Sequence, residues 1–134
     1  MVEIPTTPVT RICLVRHGET EWNAERRIQG QIDIGLNATG CRQAVAAGRR
    51  LKQAEIAALY SYDLKRAWTT ALAIGAEIGL APVPAPEMRE RRYGVFEGLT
   101  YDEARMKHPA GYAAFEGRNA DYDFENGESL RAMF

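Results

Sequence analysis

Ile12-Cys13-Leu14-Val15-Arg16-His17-Gly18-Glu19-Thr20 is the stretch whose reading decides the fold. Its first four residues are apolar without alternation and are bounded by Arg11 and Arg16. Such a run suits a strand covered on both faces, as in a parallel sheet. Cys13 within it reads as a small buried hydrophobe. Parallel sheets bind ligands beyond the carboxyl ends of their strands, so Arg16 and His17 are expected to emerge at such an end. Gly18 lets the backbone turn sharply or approach a ligand closely.

On the N-terminal side, residues 1–10 carry two prolines and three threonines and read as a flexible arm. Residues 11–134 are then one domain. On the other side, residues 17–35 are a long polar loop, a kind that is usually functional in compact domains. Leu36, Gly40, Ala44, Ala47 or Gly48, and Leu51 recur at helical spacing, with Asn37 as the cap. Ile56 to Ser61 reads as a second buried strand. Asp63 is expected to cap a second helix whose inner stripe is Leu64, Ala67, Trp68, Ala71, Ile74 and Ile78, stopped by Gly79. Val83, between Pro82 and Pro84, allows only a short edge strand. This order predicts an α/β domain, a mostly parallel sheet with helices on both faces. Tyr101 to Met106 allows a helical turn or two. Residues 108–127 look like a lid or insertion, and residues 100–127 are expected to shape the pocket mouth, with Tyr101, Tyr112, Phe115, Tyr122 and Phe124 as lid core or ligand contacts. Asn126 to Leu130 looks like a helix start.

The chain's 134 residues suit one domain. A domain of this size buries roughly two-thirds of its unfolded surface, so it can hold a core without staples. Seventeen basic and 18 acidic residues leave a formal charge of −1, which gives nucleic acid or a membrane no global field to follow. Cys13 and Cys41 have no metal-type spacing and suit a reducing cytoplasm. The N-terminal residues do not read as a signal peptide, and no apolar run approaches about 18 residues, so neither a leader nor a membrane span is expected.

The chemistry lies in the opening stretch. An imidazole with a pKa near 6.5 is largely neutral at pH 7 and can attack an electrophile. A guanidinium beside it offers planar, bidentate donors to phosphate. Leu14 to Thr20, followed by Trp22-Asn23, resembles the signature of the histidine phosphatase (phosphoglycerate-mutase-like) superfamily. Three further segments resemble that family in order. They are Arg26-Arg27-Ile28-Gln29-Gly30, Ser61 to Ala67 with Thr69-Thr70-Ala71, and Met88 to Gly94 with Phe96-Glu97-Gly98. The resemblance implies a three-layer sandwich in which His17 becomes transiently phosphorylated. Arg16 and Arg66 would hold the phosphoryl group, and Glu90 would donate the proton. Asn23, Gln29 and the Gly30 backbone would bind the substrate. Arg66 falls in the first turn of its helix, where the dipole also favours an anion. Charge from Arg89, Arg91 and Arg92 is expected to keep Glu90 ionised until a phosphate enters. Glu97 is a weaker competitor for the acid. Arginines supply the positive charge, so the reading needs no metal and no cofactor.

The resemblance also implies a second histidine in a His-Gly context after a later strand. His108, before Pro109, is not in that position and reads as a lid or surface residue. The C-terminal elements therefore read as missing, and a longer parent chain is expected. Pairing of two copies as a homodimer is the other way to cover the surface left bare. Losing one transition-state donor costs about 10²–10³ in rate, so the 134 residues alone are expected to be nearly inactive. The expected activity is hydrolysis of a small phosphorylated metabolite. A phosphoglycerate mutase is the alternative, made less favourable by the short span of residues 99–126. A non-catalytic phospho-ligand binder is a second alternative.

Overall fold

The computed structural model describes residues 8–134; the arm expected over residues 1–10 lies mostly outside them. A single turn, α1 (Glu21–Ala24), follows the His17 loop. Then come α2 (Ala38–Leu51), β1 (Tyr60–Ser61), α3 (Lys65–Ile78) and β2 (Val83–Pro84). Two 3₁₀ turns, Pro86–Met88 and Gly94–Phe96, lead into α4 (Tyr101–Lys107) and α5 (Pro109–Glu116). A last turn, α6 (Leu130–Met133), follows.

β1, α3 and β2 form a parallel strand–helix–strand unit, with Tyr60 opposite Val83 and Ser61 opposite Pro84. Pro84 is tolerated because the ladder uses its neighbours. Val83 N donates to Leu59 O and Ala85 N to Ser61 O, both at 2.8 Å. The fold class is α/β as read from the sequence, although the sheet among the described residues is this one pair.

α2 and α3 pack through small residues. Gly40, Ala44 and Gly48, four apart, are the buried stripe of α2. A Cβ at Gly48 would lie 3.0 Å from the Ile74 Cα, so the helices approach at a distance larger side chains would forbid. α3 buries Ala67, Ala71 and Ile74. Asn37 caps α2 through Gly40 N at 2.8 Å, and Gly79 ends α3 with φ 76°.

A second core fills the C-terminal third. Phe96 and Phe124 are fully buried, and Ile28, Ala104 and Tyr112 close around them. Their rings meet edge to face, Phe96 to Phe124 at 5.0 Å between centroids, a favoured aromatic geometry. The segment expected to be a lid or insertion therefore holds a helix and a packed core. Tyr112, Phe115, Tyr122 and Phe124 belong to that core, whereas Tyr101 is half exposed.

Four expectations require correction. Residues 12–15 are not in a strand, and Ile12 and Leu14 are 80% and 85% exposed. Cys13 is exposed rather than buried. An apolar run is suited to burial but does not specify what covers it, and the described residues offer it neither ladder partner nor cover. The second strand is shorter than Ile56–Ser61, because only Tyr60 and Ser61 meet β2. Asp63 does not cap α3. The free N–H of Lys65 donates to Asp33 Oδ1 at 2.7 Å, while Asp63 forms a bidentate ion pair with Arg89. No described helix is long and apolar enough to cross a membrane.

Candidate active site

The His17 loop is set by backbone contact with α2. A Cβ at Gly18 would stand 2.3 Å from the carbonyl oxygen of Gly40, and one at Gly40 would stand 2.0 Å from Glu19 O. Only glycine permits either approach. Just before it, the imidazole is half-buried, and its Nδ1 lies 2.7 Å from Gly18 O. A carbonyl can only accept, so Nδ1 carries the proton and Nε2 keeps its lone pair. Burial, opposed by this hydrogen bond, lowers the His17 pKa below its ordinary 6.5. Arg66 and Arg16 lower it further, and Glu90 raises it. The imidazole is therefore neutral at pH 7.

Those three charged groups, Arg66, Arg16 and Glu90, are the ones expected around His17, and all three act on one imidazole. They differ in setting. Arg66 is 1% exposed. Arg16 and Glu90 are exposed. A cavity of about 180 Å³ opens beside Arg16 and His17, with Gln43, Ala44, Ala47 and Thr70 as further walls; Arg66 and Glu90 do not line it.

Arg66 is the second residue of α3, in the expected first turn. It donates to Gly30 O at 2.6 Å and to Ile32 O at 3.0 Å. Its buried Nε has no partner. The guanidinium thus holds the phosphate-side loop by its carbonyls and keeps donors in reserve. Gly30 has φ 52°, and a Cβ there would lie 2.0 Å from Glu97 Oε1. That Glu97 oxygen accepts from Gln31 N at 2.9 Å and Tyr93 N at 3.0 Å. Glu97, read as a competing acid, is a brace between the Gly30 loop and the Glu90 segment.

Asn23 and Gln29 share one partner. Buried Thr20 donates its N–H to Asn23 Oδ1 at 3.0 Å and its hydroxyl to Gln29 Oε1 at 2.7 Å. With their oxygens taken, both amides present NH₂ groups, the polarity an anion needs. Glu90 accepts the Arg91 N–H at 2.8 Å, and its carbonyl accepts from Gln31 Nε2 at 3.1 Å. The arginines beside it in sequence are turned elsewhere. Arg89 pairs with Asp63, and Arg91 donates to Glu128 O with its guanidinium 4.6 Å over Phe124. Neither forms an ion pair with Glu90.

The sequence reading missed Tyr62, Thr70 and Thr20. Tyr62 is half-buried, with the Arg66 guanidinium 5.7 Å from its ring centroid. Burial raises its pKa above the ordinary 10.0, Arg66 and Arg16 oppose, and Glu90 adds to the rise. It therefore shares the charged surroundings of His17. Thr70 lies one turn beyond Arg66, a spacing that could have marked it. His108 joins α4 to α5 and packs 5.9 Å from Phe96, away from these groups in the aromatic core. Among the described residues, no three His, Cys, Asp or Glu side chains gather as a metal site would.

A sequence profile described as the histidine phosphatase superfamily, branch 1, matches residues 12–134. The chain belongs to that superfamily. Among curated relatives in the superfamily, a metal-independent phosphoserine phosphatase of Arabidopsis thaliana is 47% identical over 122 residues, covering 89% of this chain and 51% of the relative. Phosphoglycerate mutase-like protein 4 of the same plant is 45% identical over 126 residues, covering 92% and 55%. The chain thus spans about half the length of each. The solved structure of a mycobacterial glucosyl-3-phosphoglycerate phosphatase complexed with VO₃ superposes with a TM-score of 0.79 at 33% identity, covering 87% of this chain and 56% of that one.

Proposed function

We propose that the protein is a phosphomonoester phosphatase that works through a phosphohistidine at His17. The observation carrying this reading is the imidazole itself. It is neutral, its Nδ1 proton is spent on Gly18 O, its Nε2 is free, and Arg66, Arg16 and Glu90 act on it together.

In the proposed reaction Nε2 attacks phosphorus in line and the P–O ester bond breaks. Arg16, the spare donors of Arg66, the amides of Asn23 and Gln29 and the Gly30 backbone hold the equatorial oxygens. The Glu90 carboxyl gives its proton to the departing alkoxide. Water then attacks the phosphohistidine, Glu90 takes its proton, and inorganic phosphate leaves. Positioning and electrostatics supply most of the acceleration in such transfers. The substrate is a small phosphorylated metabolite, and two free thiols favour a cytoplasmic setting. Residues 11–134 act as one domain in this reading.

A ³²P-labelled phosphomonoester, given to the protein expressed from its complete gene, tests it. His17→Ala must abolish acid-labile label on the protein, and persistence of that label would reject the nucleophile. Phosphate binding without turnover would instead favour a non-catalytic binder. A mutase shares these residues and returns the phosphoryl group to a sugar acid, and the phosphoglycerate mutase-like relative favours it as the second reading. The short span of residues 99–126 favours the phosphatase. Comparing hydrolysis of 4-nitrophenyl phosphate with isomerisation of 3-phosphoglycerate separates the two.

A further inference from the structure

Thr70 is buried on the inner stripe of α3. Its hydroxyl donates to the carbonyl of Arg66 at 2.7 Å, the usual bond of a helical threonine to the turn before it. The same oxygen also accepts the N–H of Gly18 at 3.0 Å, 52 positions away in sequence. Both directions are forced, since a backbone N–H can only donate and a carbonyl can only accept. The two bonds are therefore one relay running from the Gly18 amide, through Oγ1, to the backbone of Arg66. Gly18 carries it onward, because its own carbonyl receives the His17 Nδ1 proton at 2.7 Å.

The relay joins the two parts of the site that must agree in position. At one end is the imidazole; at the other is the helical turn whose side chain holds the Gly30–Ile32 carbonyls. Gly18 is pressed onto α2 on another side by its contact with Gly40. That contact limits how near the loop can come. It does not fix how the His17–Gly18 peptide is rotated, and that peptide is the main chain that carries the imidazole. The next peptide, whose Gly18 carbonyl receives Nδ1, is held by Gln43 Oε1, which accepts the Glu19 N–H at 2.8 Å. The Thr70 hydroxyl supplies the missing restraint.

We propose that Thr70 is a positioning residue, whose hydroxyl locks the His17–Gly18 peptide, and with it the main chain that carries the imidazole, to the helix that bears Arg66. The inference rests on His17 being the phosphoryl acceptor. It concerns the attack and not the holding of the anion, since Thr70 touches neither Asn23, Gln29 nor the Gly30 carbonyl. Misplacing a reacting group by an ångström can cost about 100-fold in rate.

The test compares wild type, Thr70→Val and Thr70→Ser, each expressed from the complete gene, by single-turnover labelling with ³²P-4-nitrophenyl phosphate and by inorganic phosphate affinity. Valine keeps the volume and removes the relay; serine restores the hydroxyl. Thr70→Val is expected to slow phosphohistidine formation by about 10–100-fold while phosphate affinity stays within about threefold. Thr70→Ser is expected to recover the rate to within about threefold of wild type. Equal loss of rate and affinity, an unchanged rate in Thr70→Val, or a Thr70→Ser as slow as Thr70→Val would each overturn the proposal. Should Thr70→Val not fold, Thr70→Cys, with its weaker hydrogen-bonding group, must fall between wild type and background, and a wild-type rate there overturns it. Unlabelled wild type would sink the nucleophile reading itself, a different result from labelled wild type with unaffected variants.

Discussion

The guanidinium of Arg66 donates to the carbonyl of Gly30 at 2.6 Å, so the group expected to grip phosphate also builds the loop that would surround it. With Ile32 O as a second acceptor, Arg66 is a structural post as well as a binding group. Arg66→Lys keeps the charge but cannot span two carbonyls with a planar fork. Each hydrogen bond to a charged group contributes about 1.5–3 kcal/mol. Arg66→Lys is therefore expected to lower unfolding free energy by about 2 kcal/mol and kcat/KM by at least about 100-fold. Urea unfolding and steady-state kinetics check both, and a fully stable but inactive variant would separate the two roles.

Burial lowers the His17 pKa below 6.5, and this has a pH signature. In the window between the folded value and 6.5 the unfolded chain binds more protons than the native one. Stability attributable to His17 therefore rises with pH through that window and is lost as pH falls through it. The difference in unfolding free energy between wild type and His17→Gln should show this slope and flatten above about pH 7.5. For the same reason the acid limb of kcat/KM is expected below pH 6.5. A limb above that value would contradict the burial argument.

Gly30 and Glu97 are expected to behave as one unit. Gly30→Ala meets both a positive φ of 52° and an oxygen at 2.0 Å, and its cost is put at about 2–4 kcal/mol. Glu97→Ala removes the clash but orphans two backbone N–H groups. The double variant is therefore expected to be less damaged than the two single costs added together, by about 1 kcal/mol or more. Additive losses in thermal or urea unfolding would refute the contact.

Phe96 is fully buried at the centre of the second core and meets four other aromatic rings, as well as His108. Phe96→Ala is expected to cost about 3–5 kcal/mol. Hydrogen exchange should localise the loss to α4 and α5, while α2 and α3 retain protection. Uniform loss across all helices would show that the two cores unfold as one.

Much of this arrangement was legible in the sequence because it is local. The spacing of Gly40, Ala44 and Gly48 marked α2, Asn37 and Gly79 marked helix ends, and Arg66 fell in the turn where its motif put it. What failed depends on distant partners. The apolar run at 12–15 announced suitability for burial without naming a cover. The α3 cap came from Asp33 and not from adjacent Asp63, because Arg89 claims that carboxylate. The arginines flanking Glu90 follow their own tertiary contacts. Thr20, Thr70 and Glu97 act through hydrogen bonds to other segments, which no periodicity reports. Tyr62 enters only because α3 carries Arg66 beside it.

The contact between Gly18 and Gly40 is made of main chain on both sides. Side chains hop between rotamers on fast timescales, and substitutions reshape them, but neither process can alter a gap defined by peptide atoms alone. The seat beneath His17 is thereby insulated from neighbouring sequence drift, and surrounding pocket walls are free to diversify without moving it.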